Sequence, residues 1–294
     1  MKKAIIFGIN GQDGFYLNKL LVTKGINVIG ISRNGDFLRT SIHDFAEVKK
    51  LIESEQPDYI FHLAANSTTN HSALFENHQT ISTGTLNILE AVKEYSPKSK
   101  VFISGSGLQF INHNIPIKET DLFDARDAYS ISRIQSVYAA RYFRNKFGLK
   151  VYVGYFFNHD SPRRSERHIA QRIISTVKRI ANGSNEKLII GDVNTVKEWT
   201  FAGDVVDGIW CLINNEDIFE ANIGSGIGYS IENWISICFD FIGKNWKDSV
   251  EIQSDFFAEY KMLVSDSSLI HSIGWIPKTT INELAEMMLI ENNG

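Results

Sequence analysis

Cysteine is nearly absent: the chain has Cys211 and Cys238 and no others. Both sit in apolar stretches of helical period, which predicts buried reduced thiols and gives no basis for a disulfide framework or a cysteine metal cluster. His71, His78, His159 and His168 do not fall at metal-ligand spacings and read as surface or structural histidines. No run of eighteen apolar residues occurs, which excludes a membrane-spanning helix. The net charge is −4, so there is no excess of positive charge to hold nucleic acid or an anionic membrane surface. No internal repeat, low-complexity segment or composition break marks a linker. The first strand begins almost at Met1, which leaves no room for a signal peptide and predicts a cytoplasmic protein.

What the chain has is concentrated at its start. Lys3-Ala4-Ile5-Ile6-Phe7 is a short apolar run, followed by Gly8-Ile9-Asn10-Gly11-Gln12-Asp13-Gly14 and then by Phe15–Leu21, apolar at helical spacing. This reads as strand, glycine turn and helix. Glycines at 8, 11 and 14 let the backbone turn sharply and approach a pyrophosphate, whose charge then rests on free amides at the helix start. The candidate cofactor residues on this turn are Gly8, Asn10, Gly11, Gln12, Asp13 and Gly14. The second strand, Val28–Ile31, runs into Ser32-Arg33-Asn34 and not into an acidic residue. A cation with small polar neighbours suits a 2′-phosphate, so Arg33 favours NADP(H) over NAD(H). Arg39-Thr40-Ser41 is read as a very short third strand, and Asp44 either contacts the adenine or caps the helix that follows. Asp58–Ala65 is a buried strand, and Leu63, Ala64 and Ala65 are small enough at its carboxyl end to leave room for a cofactor.

Strands continue to alternate with helices: helix Thr83–Glu94, strand Val101–Ile103 ending in Ser104-Gly105-Ser106-Gly107, helix from Tyr129 to about Lys146, strand Val151–Phe156. This order predicts an α/β fold, a doubly wound parallel sheet of Rossmann type, with the site beyond the carboxyl ends of the strands. Tyr129 and Arg133 are four residues apart and share a helix face. The expected division is a cofactor-binding domain over residues 1–160 and a smaller lobe over 161–294, with elements of the second half returning to the sheet. Further elements are read at Arg167–Asn182, Lys187–Ile190, Asp204–Leu212, Phe219–Ile223, Ser230–Phe241 and Thr280–Leu289.

With these residues in view, the chain resembles the extended short-chain dehydrogenase/reductase family, and within it the GDP-mannose 4,6-dehydratases and related 4-keto-sugar-nucleotide reductases. The likeness covers nearly the whole chain. It is carried by Gly8–Gly14, by Phe157-Asn158-His159-Asp160-Ser161-Pro162-Arg163-Arg164, by Trp199 with Ala202, Asp204 and Val205, and by Trp275–Pro277. The resemblance implies an NADP-binding domain, a lobe for a nucleotide sugar, and a homodimer or homotetramer paired through the helices over 83–94 and 130–146, where Tyr138, Tyr142 and Phe143 offer an apolar face.

The resemblance also implies a catalytic hydroxyl, a tyrosine and a lysine four residues later. Tyr129 matches the tyrosine, and Arg133 stands at the lysine position. Arginine keeps the positive charge but presents a rigid fork and cannot give up a proton. The positions matching the family's catalytic threonine and glutamate are Gly105 and Gly107, which leaves Ser104 or Ser106 to supply the hydroxyl. Glycine cannot take a proton from the sugar, so water elimination by the usual route is disfavoured, unless Glu119 or Asp121 on the following loop replaces the glutamate. On the substrate side, Asn158, Arg164, Arg172 and Lys197 fall where the family holds the nucleotide's diphosphate and ribose, whereas Glu232 and Phe256 stand where arginines are expected. The leading expectation is an NADP(H)-dependent 4-keto-sugar-nucleotide reductase. Two alternatives remain open: a dehydratase or epimerase with altered acid/base groups, and a non-catalytic paralogue that keeps the cofactor.

Overall fold

The computed structural model describes residues 1–253 and 255–291. Ala4, Ile5, Ile6 and Phe7 are all buried, as a strand must be when it has neighbours on both edges and helices on both faces. They form β1 (Lys3–Phe7), which is joined by β2 (Asn27–Ile31), β3 (Tyr59–His62), β4 (Lys100–Ser106) and β5 (Lys150–Phe156). A sixth strand, Glu220–Ile223, arrives late in the chain and pairs with β5. The order across the parallel sheet is Glu220–Ile223, β5, β4, β3, β1, β2. This is the doubly wound α/β arrangement.

The helices cover the two faces. On one lie α1 (Gln12–Thr23) and, from the second half of the chain, the helix Ala202–Ile213. On the other lie α2 (Phe45–Glu55), α4 (Gly84–Tyr95) and α5 (Ala128–Phe147), with the short α3 (Leu74–Asn77) and a wide turn over His78–Thr83 leading into α4. The expected strand at Arg39–Ser41 is not formed. Leu38 makes a single bridge to Ile31, and the Ser41 amide is instead drawn to the Glu47 carboxylate (2.5 Å) on the helix that follows. Polar residues with a helix-borne acceptor nearby have little to gain from extending the sheet.

A third core builds the smaller lobe from α6 (Ile169–Ala181) and the helices Ile231–Phe241 and Ile281–Ile290. Trp199 stacks on Trp234 at its centre, with ring centroids 4.6 Å apart and planes at 9°. Ties run from this lobe back to the sheet. Glu198 is fully buried and accepts hydrogen bonds from the amides and hydroxyls of Ser265 and Ser225 (2.5–3.2 Å). Trp275 donates to the Asp204 carbonyl, and the Asp204 carboxylate accepts from the Lys278 and Thr279 amides. Cys211 is half-buried, Cys238 is buried, and both are free thiols. No helix among the described residues is long and apolar enough to cross a membrane.

Candidate active site

A cleft opens at the carboxyl ends of the strands. Gly8 has φ +93, and a Cβ there would lie 2.7 Å from the Ala64 amide nitrogen; a Cβ on Gly14 would lie 2.3 Å from the Gly8 carbonyl. Both glycines are therefore required by close backbone approach. The turn delivers α1 with Gly11 as an N-cap that has no side-chain hydrogen bond, so the first-turn amides are left for an anion. Two adjoining cavities, of about 410 and 370 Å³, share Gly8, Asn10, Gly11, Leu63 and Ala65. The smaller runs past Ser32, Arg33, Asn34 and Ala64; the larger runs past Gln12, Asp13, Gly14, Ser104, Ser106, Tyr129, Arg133, Asn158 and Arg164. A glycine cradle that side chains would fill, an uncapped helix start and a long continuous cleft fit a dinucleotide.

The turn is locked to the lobe by Gln12 and Asp13. Gln12 accepts from the Ser161 hydroxyl (2.8 Å), and Asp13 Oδ1 lies 2.9 Å from His159 Nε2. The other ring nitrogen of His159 meets the Phe157 carbonyl at 2.7 Å. Burial by itself would lower the His159 pKa and raise that of Asp13; their mutual attraction outweighs it, so His159 is held above its ordinary value and Asp13 below. Both ring nitrogens of His159 face acceptors, an arrangement that favours the protonated ring.

Asp127 caps α5 by accepting from the amides of Tyr129 and Ser130 (2.8 Å each), and this fixes Tyr129 in the first turn. The Arg133 guanidinium lies 4.9 Å from the Tyr129 ring centroid. Arg133 is 4% exposed, donates to the Ser104 carbonyl, and donates to Ser104 Oγ at 2.7 Å. Ser104 Oγ in turn donates to the His62 carbonyl (3.0 Å). His62 is fully buried, and burial, reinforced by the Arg133 charge, pushes its pKa down to about 3. Ser104 is therefore engaged beneath the site, while the Ser106 hydroxyl caps the turn after β4 by accepting from the Leu108 amide (3.2 Å). That bond leaves the Ser106 proton free to donate.

Several expected site residues lie elsewhere. Asp44 does not line the cleft; its carboxylate caps α2 through the Ala46 and Glu47 amides. Arg172 is exposed on α6 outside the lining, and Lys197 is also outside it, its ammonium 5.5 Å from the ring centroid of the lining residue Tyr260. Glu119 accepts from the Asn222 amide (2.7 Å) and Asp121 from the Lys118 amide (2.9 Å), so neither replaces a missing acid in the cleft. A Cβ on Gly105 would lie 2.6 Å from the Tyr155 ring, and one on Gly107 would lie 2.8 Å from the Phe157 ring. Two aromatic rings occupy the space that side chains at these positions would need.

The cleft also contains residues that the sequence did not assign to it. Arg163, Arg167, His168, Tyr260 and Leu263 line it together with Arg164. Arg163 stacks on Phe15 at 4.0 Å, and Arg167 reaches across to Asn66 Oδ1 (3.3 Å) and Ser67 Oγ (3.0 Å). Burial, with the charges of Arg164 and Arg167, pushes the His168 pKa down to about 3, so it is neutral beside the arginines. Arg167 and His168 follow the Pro162-Arg163-Arg164 run by one turn and were legible from it; nothing local distinguishes Tyr260. Among the described residues lining the two cavities the carboxylates are Asp13 and Glu76, and both are engaged by cations.

A family model described as GDP-mannose 4,6 dehydratase matches residues 5–288. The chain belongs to this family. GDP-mannose 4,6 dehydratase 2 of Arabidopsis thaliana is 30% identical over 99% of the chain and 87% of its own length. A GDP-mannose 4,6-dehydratase of Vibrio cholerae is 26% identical over 98% and 92%. Among solved structures, RMD from Pseudomonas aeruginosa complexed with NADPH superposes with a TM-score of 0.86 at 21% identity, over 98% of each chain. A dTDP-glucose 4,6-dehydratase from Bacillus anthracis in complex with NAD gives 0.85 at 16% identity, over 98% of this chain and 96% of that one. These likenesses confirm the extended short-chain dehydrogenase/reductase fold.

Proposed function

We propose that this family member is an NADP(H)-dependent oxidoreductase acting on a nucleotide-activated sugar, most simply by reducing a 4-keto group. The observation that carries this is the acid/base content of the cleft: a phenol and a serine hydroxyl at one end, and no uncommitted carboxylate among the described lining residues. Reduction needs one proton donor and one hydrogen-bond donor. Elimination of water needs a further base, and Phe157 fills the space beside Gly107. The bound cofactor supplies the hydride. Tyr129 gives its proton to the carbonyl oxygen as that oxygen gains charge, and Ser106 donates a hydrogen bond to the same oxygen. The Arg133 guanidinium lies against the Tyr129 ring and holds it at the mouth of the cleft. Arg33 would hold the 2′-phosphate, and Arg163, Arg164 and Arg167 would hold the substrate diphosphate. The proposal extends to a cytoplasmic homodimer or homotetramer, for which the exposed Leu86 of α4 and Tyr138 and Tyr142 of α5 supply an apolar face; Phe143, expected on that face, is instead buried in the core beneath the sheet.

Two observations keep other readings in play. The relatives are named as dehydratases, and the capture of Arg133 by Ser104 favours a slow or non-catalytic protein. The test is to follow NADPH consumption with a panel of 4-keto sugar nucleotides. Tyr129→Phe is expected to lower kcat by about 100-fold or more, with the NADPH Kd unchanged within about twofold. Retained turnover would remove Tyr129 from its role. Loss of water without net cofactor consumption would identify a dehydratase, and tight NADPH binding without turnover of any substrate would identify the non-catalytic protein.

A further inference from the structure

Arg33 does not stand alone where the 2′-phosphate would arrive. Its Nη1 donates to Glu76 Oε1 at 2.9 Å, and both residues line the smaller cavity with Ser32 and Asn34. Glu76 is fixed from its other side as well: Asn66 Nδ2 donates to Oε2 at 2.8 Å, and Asn66 Oδ1 accepts from Arg167 at 3.3 Å. Asn77, the next residue, donates to the Thr68 carbonyl (3.2 Å) and pins the short helix that carries Glu76. Arg33 and Asn66 together hold the Glu76 carboxyl below its usual pKa. If Arg33 turns toward a ligand, the carboxylate stays where Asn66 holds it.

We propose that Glu76 sets the dinucleotide preference of this site, competing with the cofactor's 2′-phosphate for Arg33. The proposal rests on the NADP(H) reading above and adds the residue that tunes it. A phosphate monoester carries between one and two negative charges at neutral pH and pairs with a guanidinium through two parallel hydrogen bonds. To make them, it must displace a carboxylate already on that guanidinium and then sit beside its fixed charge. NADH carries a neutral hydroxyl at the same place and meets neither obstacle. Arg33 and Glu76 therefore act in opposite directions, and the preference for NADPH is smaller than the arginine by itself would give. Glu76 is 40% exposed at its side chain, so solvent and salt moderate the effect.

The experiment is direct binding of NADPH and NADH to the full chain and to Glu76→Gln, which keeps an oxygen for Asn66 but removes the charge. The expected result is about tenfold tighter NADPH binding, NADH binding changed less than twofold, and a gain that shrinks at high salt. An equal change for both dinucleotides would reduce Glu76 to a structural residue and overturn the proposal. So would unchanged NADPH binding, or a selective loss of NADH, which would make Glu76 the acceptor of a ribose hydroxyl. If the unmodified chain binds NADPH and the variant shows the same selectivity, this inference alone falls. If the unmodified chain binds neither dinucleotide, the cofactor reading falls and this inference with it.

Discussion

Gly107 faces the ring of Phe157 so closely that even a methyl group would meet it at 2.8 Å. Gly107→Ala is expected to destabilise the protein by about 1–3 kcal/mol, because a packed aromatic must shift. Phe157→Leu in the same chain should recover part of that loss, and a double-mutant cycle in denaturant measures the coupling. His159 and Asp13 give a pH signature. The contribution of His159, whose folded pKa is raised, is complete below its unfolded value near about 6.5 and is lost as pH rises through the folded value. That of Asp13, whose folded pKa is lowered, is complete above its unfolded value near about 3.9 and is lost as pH falls through the folded value. Thermal stability should therefore be level from about pH 5 to 6.5 and decline on the alkaline side; His159→Gln should flatten that decline. The glycine turn and Tyr129 were legible because their chemistry demands particular residue types at fixed spacing. Glu76 and Tyr260 were not, because each enters the cleft from a segment whose path is set by tertiary packing. Asp44 was ambiguous for the opposite reason: a carboxylate before a helix does the same local work whether or not a ligand lies nearby.

At the scale of elements, α5 is anchored at both ends. Asp127 caps its start, and near its end Arg141 and Arg144 grip Glu220 on the late sheet strand at 2.6–3.2 Å, with the Tyr155 hydroxyl donating to the same carboxylate at 2.7 Å. Burial would raise the Glu220 pKa, but these donors bring it down to about 2. Its contribution is present above the unfolded value near about 4.3 and is lost as pH falls toward about 2. Glu220→Gln is expected to cost about 2–3 kcal/mol at pH 7, since it leaves two partly buried guanidiniums without their counter-charge; urea denaturation measures it. The long periodic helices and apolar strands were readable to within a few residues. Two-residue strands such as His159–Asp160 with Thr200–Phe201 were not, because so short a segment has no period and exists only through its partner. The winding segment 71–83 was missed for a related reason: its polar residues are held by Thr68, Gln135 and Ser132, all outside it.

For the whole molecule, the parallel sheet follows from the alternation of strands and helices, whereas the way the second half returns to that sheet depends on long-range contacts that no local pattern records. The helix Ala202–Ile213 packs on α1, and the strand Glu220–Ile223 packs on β5, so the second half completes the core of the first. Ile223 and Phe102 close over Gly154, where a Cβ would lie within 2.7 Å of each. A fragment ending at residue 160 is expected to lack a cooperative unfolding transition, which circular dichroism in urea would show; a sharp transition would mean that the first five strands stand unaided.

The late strand also bears on how the protein is made. A ribosome delivers the chain from its amino end, and β5 leaves the exit tunnel with the edge that later pairs with Glu220–Ile223 still open. That edge must wait through roughly seventy more residues, several seconds of synthesis at ordinary rates, before Glu220–Ile223 arrives to close it. Until then the nascent sheet offers a row of free amides and carbonyls to any neighbouring strand, so synthesis that slows between residues 156 and 223 is expected to lengthen that exposure and to lower the soluble fraction of newly made protein.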